Sequence, residues 1–213
     1  MCTMARYFMG ITGASGHPYS LRLLEALIAT GNQVDLSITA AGCKVLLHEV
    51  GLVPTEEALL GALRERLGAL DENVLRLFPE EAVEAPACSG TAGLEAVVIC
   101  PCSMGTLARV AGGLSSNLVE RAADVALKEG RPLILVPRET PLSQIHLENM
   151  LKLARVGAIC LPAAPGFYHH PRSIEDLVDH VVGKVLDRLG IRAVWSGAKR
   201  WSGRLTPPAE GAG

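Results

Sequence analysis

The chain has 213 residues, a length that fits one domain, and 49% of them are hydrophobic, so it can bury a sizeable core. The formal net charge is only -2 and no Lys/Arg block occurs, which argues against nucleic-acid binding. The first residues lack the apolar stretch of a secretory signal, and no apolar run approaches the roughly 20 residues that span a bilayer. We therefore expect a cytoplasmic protein with no membrane span.

The first fifty residues alternate between strand and helix signals. The apolar run 7–11 predicts a buried strand that ends in the small-residue turn 13–16, and the apolar spacing over 19–30 predicts a helix. Alternation of apolar and polar residues over 34–38 predicts a second strand, and 41–50 a second helix. This order is typical of a βαβ unit with parallel strands.

The segment 51–93 gives a weaker pattern, with a helix over 55–70, a short strand within 75–84 and a loop over 86–91. Regular alternation returns at residue 94, and we expect Pro101 to end the next strand at Cys100. The remaining strands are predicted at 96–100, 132–136 and 158–161. The remaining helices are predicted to start after Ser103 and to cover 117–130, 142–156 and 173–189.

Strands that alternate with helices and are apolar on both faces indicate a sheet covered on two sides. We therefore predict an α/β fold with three αβα layers, Rossmann-like, around a mostly parallel central sheet. Residues 1–194 are expected to form this single domain. Residues 195–213, rich in Gly, Pro and Ser apart from two tryptophans, are expected to form a partly flexible C-terminal tail.

Ligands of parallel sheets bind beyond the carboxyl ends of the strands. Two of the stretches found there are small turns at helix N-termini, which favour an anion such as phosphate, and one contains an arginine that can grip phosphate with two hydrogen bonds. The candidate stretches are Gly13–Ser15, Thr39, Ser103–Thr106, Arg138–Glu139 and Phe167–His169.

Several of these patterns have equally simple structural explanations. The turn 13–16 is neither a P-loop nor a complete dinucleotide-binding fingerprint, and a tight turn alone requires small residues. Arg121 and Lys128 share a helix face with Asp124, so a solvated ladder of ion pairs remains open. His169 and His170 favour a loop or packing role, because no third metal ligand stands at a recognisable spacing. The six cysteines form no Cys-x-x-Cys pair, which indicates free thiols.

Five motifs, in order along the chain, together resemble the UbiX-type flavin prenyltransferases. The similarity runs from about Gly10 to Leu189 and is weaker in the middle segment and the tail. The motifs are Gly10–Gly16, Cys100–Thr106, Glu120–Glu129, Arg131–Pro141 and Pro165–His169.

The resemblance implies a flavoprotein fold shared with flavin-dependent cysteine decarboxylases, and a transferase activity. Members of the family move a dimethylallyl group from dimethylallyl monophosphate to N5 and C6 of reduced FMN, and they need no metal. The product, prenylated FMN, serves UbiD-type decarboxylases, and the family is linked to ubiquinone biosynthesis. The resemblance also implies a dodecamer with sites at the subunit interfaces.

The resemblance assigns roles to individual positions of this sequence. Acid–base chemistry falls to Ser15, Glu49 and Glu139. FMN binding falls to residues of four turns, namely Gly13, Ala14, Ser15, Thr39, Ser103, Met104, Gly105, Thr106 and Arg138. Binding of the prenyl phosphate falls to Ser89, Gly90, Arg121, Lys128, Arg138, Tyr168, Lys184 and Trp201.

One of these positions departs from the family pattern, which has an arginine where this chain has Lys184. Lysine keeps the positive charge but loses the planar fork of hydrogen-bond donors.

Two alternative functions are also considered. An FMN-dependent cysteine-type decarboxylase is disfavoured because its Pro-Ala-Ser-Ala-Asn-Thr motif and its Met-Trp-containing clamp are missing. A non-catalytic FMN carrier is disfavoured because Ser15, Glu49 and Glu139 are all present.

Overall fold

The computed structural model describes residues 4–71 and 73–191. Its strands are β1 (Arg6–Ile11), β2 (Gln33–Ile38), β3 (Leu75–Phe78), β4 (Ala96–Cys102), β5 (Leu133–Pro137) and β6 (Ile159–Cys160). Its helices are α1 (His17–Ala29), α2 (Ala40–Val50), α3 (Glu56–Leu67), α4 (Met104–Ala111), α5 (Leu118–Lys128), α6 (Gln144–Arg155) and α7 (Ile174–Arg188). A short 3-10 turn, Pro86–Cys88, precedes β4.

The strands form one sheet in the order β3-β2-β1-β4-β5-β6, and all of the pairs that join them are parallel. The predicted α/β class is therefore confirmed. Parallel neighbours need crossover connections, which the helices supply. The carboxyl ends of β2, β1 and β4 consequently lie side by side at one edge of the sheet.

Successive residues of β1 point into two different cores, as expected of a strand buried on both faces. Met9 and Ile11 belong to a cluster that includes residues of α1, α2, α3 and α7. Phe8 belongs to a second cluster that includes residues of α4, α5 and α6. The helices thus form two layers, with α7 on one face of the sheet and α5 on the other.

Strand β4 is longer than the sequence predicts, because it continues through Pro101 to Cys102. Its pairing with β5 shifts between Ile99 and Cys102, so the proline falls where the ladder is irregular. A residue without an N–H is tolerated at such a bulge. The other predicted elements are present, with ends displaced by a few residues; the strand predicted within 75–84 is β3, which ends at Phe78.

Helix α6 is less covered than its neighbours. Of its residues, Leu153 is buried, whereas Ile145, Leu147 and Leu151 are 67%, 53% and 51% exposed. Their apolar side chains therefore face away from the core of the described chain.

Within the described ranges, no helix combines the length and the apolar character that a membrane crossing requires.

The contact between α2 and β1 depends on a glycine. A Cβ added to Gly42 would lie 2.8 Å from the backbone oxygen of Ile11 and 3.0 Å from the side chain of Ile38. We expect Gly42→Ala to lower the free energy of unfolding by about 1–3 kcal/mol, because the backbone of a central strand cannot move aside. Urea unfolding measures this change.

Gly61 in α3 provides the matched control, because a Cβ there would meet no atom within 4 Å. Gly61→Ala should raise the stability by about 0.5–1 kcal/mol through helix propensity. Equal effects of the two substitutions would contradict the proposed tight contact.

Candidate active site

The ends of β1 and β4 are joined by the buried side chain of Thr12. Its hydroxyl donates to the carbonyl oxygen of Pro101 over 2.8 Å and accepts a hydrogen bond of 2.7 Å from the N–H of Ser103. The turns that follow the two strands are therefore held in a fixed relation. The sequence analysis did not single out Thr12, although a hydroxyl directly after a buried apolar strand was a visible signal.

The turn after β1 packs closely against α2. A Cβ on Gly13 would lie 2.7 Å from the Cβ of Ala41, and Gly16 has a φ of 119°, a conformation that favours glycine. The carboxylate of Glu49, near the end of α2, accepts hydrogen bonds from the N–H groups of Gly16 (3.0 Å) and His17 (2.9 Å). Glu49 thus occupies the positive N-terminus of α1.

The ionisation of Glu49 follows from these contacts. Partial burial raises the pKa of its carboxyl, but hydrogen bonds from the Ser15 side chain and from the amides of Gly16 and His17 outweigh burial, so the pKa is lowered overall. Glu49 is therefore a carboxylate at neutral pH, and the Ser15 hydroxyl lies near enough to interact with it. The Ser15 oxygen can in turn accept a hydrogen bond from a ligand.

The end of β5 reaches the same turn through Arg138, whose Nε donates to the carbonyl oxygen of Ser15 over 3.2 Å. Glu139 follows it on the exposed surface, and its carboxylate accepts a hydrogen bond of 3.1 Å from the N–H of Thr140. Ser15 and Glu49 line a cavity of about 370 Å³ together with Tyr19 and His48. One sheet edge thus brings together Ser15, Glu49 and Arg138, with Glu139 next in sequence.

Two more helices begin beside this turn. Thr39 caps α2 by accepting from the N–H of Gly42 (3.1 Å), and Ser103 caps α4 by accepting from the N–H of Thr106 (3.2 Å). The first amide of α2 also donates to the carboxylate of Glu80. Acidic side chains contact the starts of α1 and α2, and among the described residues no such contact is found at the start of α4, so the turn Ser103–Thr106 is a candidate for binding the phosphate of a flavin nucleotide.

A second group of predicted residues lies on the face of the sheet that α5 covers. Arg121 and Lys128 are exposed on that helix, and the Nζ of Lys128 pairs with Glu129 at 3.3 Å. The loop with Ser89 and Gly90 packs beside the end of α5, where a Cβ on Gly90 would collide with the carboxylate of Glu129.

A third group lies at α7, on the opposite side of the sheet. The exposed side chain of Lys184 belongs to this helix, and the Oη of Tyr168 contacts the Nε2 of His180 there at 2.9 Å. A single chain therefore presents the predicted phosphate-binding residues on two faces. Trp201 and the tail 195–213 lie outside the described residues.

His17 is another residue that the sequence analysis missed. Its ring is buried, and neither ring nitrogen has a hydrogen-bond partner among the described residues. Burial lowers the pKa of His17 despite the nearby carboxylate of Glu49, so the imidazole is neutral near pH 7 and adds no charge to the site.

Within the described ranges, no group of three or more His, Cys, Asp and Glu residues is arranged to hold a metal ion.

The lowered pKa of Glu49 has a measurable effect on stability. The charged carboxylate is stabilised by folding, so its contribution is present above the ordinary carboxyl value of about 4.3 and is lost as the pH falls through the lower pKa of the folded state. We expect wild-type protein to be more stable than Glu49→Gln at neutral pH, with a difference that shrinks below about pH 4.3. Urea unfolding at a series of pH values measures it.

Glu148→Gln, on the exposed surface of α6, serves as the control and should show a much smaller difference at neutral pH. A stability difference between wild type and Glu49→Gln that is constant across the pH range would contradict the assigned ionisation.

Comparison with known proteins identifies the family of this chain. The model of the Flavoprotein family matches residues 3–186, which confirms the expectation of a flavin. Flavin prenyltransferase UbiX of Pseudomonas aeruginosa is 52% identical over 188 residues, which cover 87% of this chain and 90% of the relative.

Two solved structures agree over almost their whole length. The crystal structure of AnUbiX (PadA1) in complex with FMN and dimethylallyl pyrophosphate has a TM-score of 0.82 and 34% identity, and the match covers 94% of this chain and 99% of that one. A dodecameric FMN-dependent UbiX-like decarboxylase from Escherichia coli O157:H7 has a TM-score of 0.79 and 38% identity, with 92% and 98% covered. The chain therefore belongs to the Flavoprotein family and, within it, to the flavin prenyltransferases of the UbiX type.

Proposed function

We propose that this enzyme transfers a dimethylallyl group from dimethylallyl monophosphate to N5 and C6 of reduced FMN. The product, prenylated FMN, would be used by a UbiD-type decarboxylase. The observation that supports this most directly is the meeting of Ser15, Glu49 and Arg138 at one sheet edge, beside a helix N-terminus suited to phosphate. The flavin supplies the two nucleophilic positions when it is bound.

Ser15 and Glu49 are suited to accept the proton of N5. With its hydroxyl hydrogen directed to the ionised Glu49, Ser15 would present its oxygen to the N5 hydrogen as the new carbon–nitrogen bond forms. Glu139 is suited to take the proton that leaves C6 when the ring closes. These roles use carboxylates that differ in surroundings, since Glu49 is partly enclosed and Glu139 is exposed.

The departing phosphate requires positive charge. Breaking the allylic carbon–oxygen bond leaves a developing anion, which preorganised cations and hydrogen-bond donors stabilise. The cations proposed for this task are Arg121, Lys128, Arg138 and Lys184, and Tyr168, Ser89 and Gly90 are proposed to bind the phosphate beside them. Several cations around a monophosphate can replace the metal ion that diphosphate leaving groups usually recruit.

These residues lie on two faces of one chain, so we propose that neighbouring copies complete each site. The solved dodecameric relative supports an assembly of this kind. In such a site one copy provides the turn Gly13–Ser15 and Arg138, and another provides the cations of α5.

The activity is tested by incubating the protein anaerobically with reduced FMN and dimethylallyl monophosphate. We expect the flavin to gain the mass of one C5 unit, measured by mass spectrometry, with release of inorganic phosphate. A parallel incubation with dimethylallyl diphosphate compares the two donors.

Bound FMN without any gain in mass would support a carrier and contradict the proposal. Loss of carbon dioxide from a peptide with a C-terminal cysteine, again without a flavin adduct, would support a cysteine-type decarboxylase instead.

The role of Glu139 has a separate test. We expect Glu139→Gln to bind FMN as wild type does but to stall after the first bond, because the amide cannot take up the proton from C6. Mass spectrometry combined with the absorption spectrum of the flavin distinguishes an open adduct from the closed ring. Glu148→Gln is the control, and full formation of the closed product by Glu139→Gln would contradict this role.

A further inference from the structure

The loop that follows β6 is fastened to α7 by one histidine that the sequence analysis did not single out. The N–H of Gly166 donates to the Nδ1 of His180 over 3.2 Å, and the Nε2 of His180 lies 2.9 Å from the hydroxyl oxygen of Tyr168. The ring of His169 stacks on that of His180, with centroids 5.0 Å apart and planes 7° from parallel. His180 therefore contacts three residues of the loop at once.

These contacts determine which nitrogen of His180 bears the hydrogen. A backbone N–H can only donate, so the Nδ1 that it meets must accept and cannot be protonated. A neutral imidazole with a bare Nδ1 has its hydrogen on Nε2. Partial burial, followed by the nearby His169 and Lys184, lowers the pKa of His180, which keeps the ring neutral at pH 7.

The tautomer in turn determines the direction of the Tyr168 contact. Nε2–H donates, so the phenolic oxygen accepts in this bond, and the phenol's own hydrogen is directed elsewhere. Tyr168 is 39% exposed. Lys184, one turn beyond His180 on α7, adds a positive charge on the same side of the helix.

Close packing restricts the conformation of this loop. A Cβ added to Gly166 would lie 2.9 Å from the Tyr168 ring and 3.4 Å from the His180 ring, so the glycine is in close contact with both. A phenol held between a packed glycine and a histidine donor loses little rotational freedom when it binds a ligand.

We propose that His180 is a positioning residue that fixes the Tyr168 hydroxyl as a hydrogen-bond donor to the phosphate of the prenyl donor. This inference rests on the proposed function, and it assigns His180 a role in substrate affinity without contact with the substrate. Because the phosphate is held in the same way before and during bond cleavage, the contribution falls on KM and not on kcat.

The test combines single and double variants. His180→Phe keeps an aromatic ring for the stack with His169 but removes both nitrogens. We expect it to raise the KM for dimethylallyl monophosphate about fivefold to tenfold, the usual effect of losing one hydrogen bond, with kcat changed less than twofold. In the Tyr168→Phe background the same substitution should change KM less than twofold, because the hydroxyl that it positions is gone.

Two further substitutions separate the contacts. His180→Gln has a side-chain NH2 group on a chain long enough to reach Tyr168 and should recover most of the affinity. The shorter amide of His180→Asn can accept from Gly166, but its NH2 group does not reach Tyr168, so this variant should not recover it. His146→Gln, a histidine replacement at the start of α6, is the matched control and should leave KM and kcat unchanged. FMN affinity and the circular dichroism spectrum verify folding in every variant.

An equal rise in KM from His180→Phe in both backgrounds would overturn the inference, as would an unchanged KM. Formation of the C5 adduct by the wild-type protein is measured first, so that a failure of the proposed function is recognised separately. If no adduct forms, the same variants are compared by calorimetric binding of dimethylallyl monophosphate. Equal affinity of wild type and His180→Phe, or no binding by wild type, then overturns the role of His180.

Discussion

The parallel direction of the strands places the carboxyl ends of β2, β1 and β4 side by side, and each of these strands is followed by a helix. Every such helix begins with amides that have no partner inside the helix, so three sets of donors gather at one edge of the sheet. Glu49 accepts from amides at the start of α1 and Glu80 from one amide of α2, whereas no acidic side chain among the described residues accepts from the start of α4. The start of α4 is therefore the one of these three helix starts that we expect to suit an external anion best.

The architecture could be predicted from the sequence because its signals are local and repeated. Apolar runs such as those of β1 and β5 are buried on both faces, and no polar alternation is needed to recognise them. The end of β4 could not be predicted in this way. A local rule stops a strand at proline, whereas the irregular pairing with β5 is a property of two distant segments.

The residues of the candidate site likewise differ in whether local sequence signals could identify them. The turn Gly13–Ser15 and Arg138 were found from their positions after strands, because the edge of a parallel sheet can be inferred from the order of elements alone. Glu49 lies inside a helix and was found only through a family resemblance. Thr12 and His180 act through contacts that span 89 and 12 positions along the chain, so no sequence spacing indicated them.

The exposed apolar residues of α6 have a consequence for which substitutions could remove the activity of this enzyme. If α6 lies between copies in the proposed assembly, a polar substitution at Ile145 or Leu151 would leave every reacting group of the chain intact and would still lower turnover by weakening that contact. The effect of such a substitution on the activity would resemble that of replacing a catalytic carboxylate. Selection for the activity would then act on the contacts between copies as well as on the reacting groups.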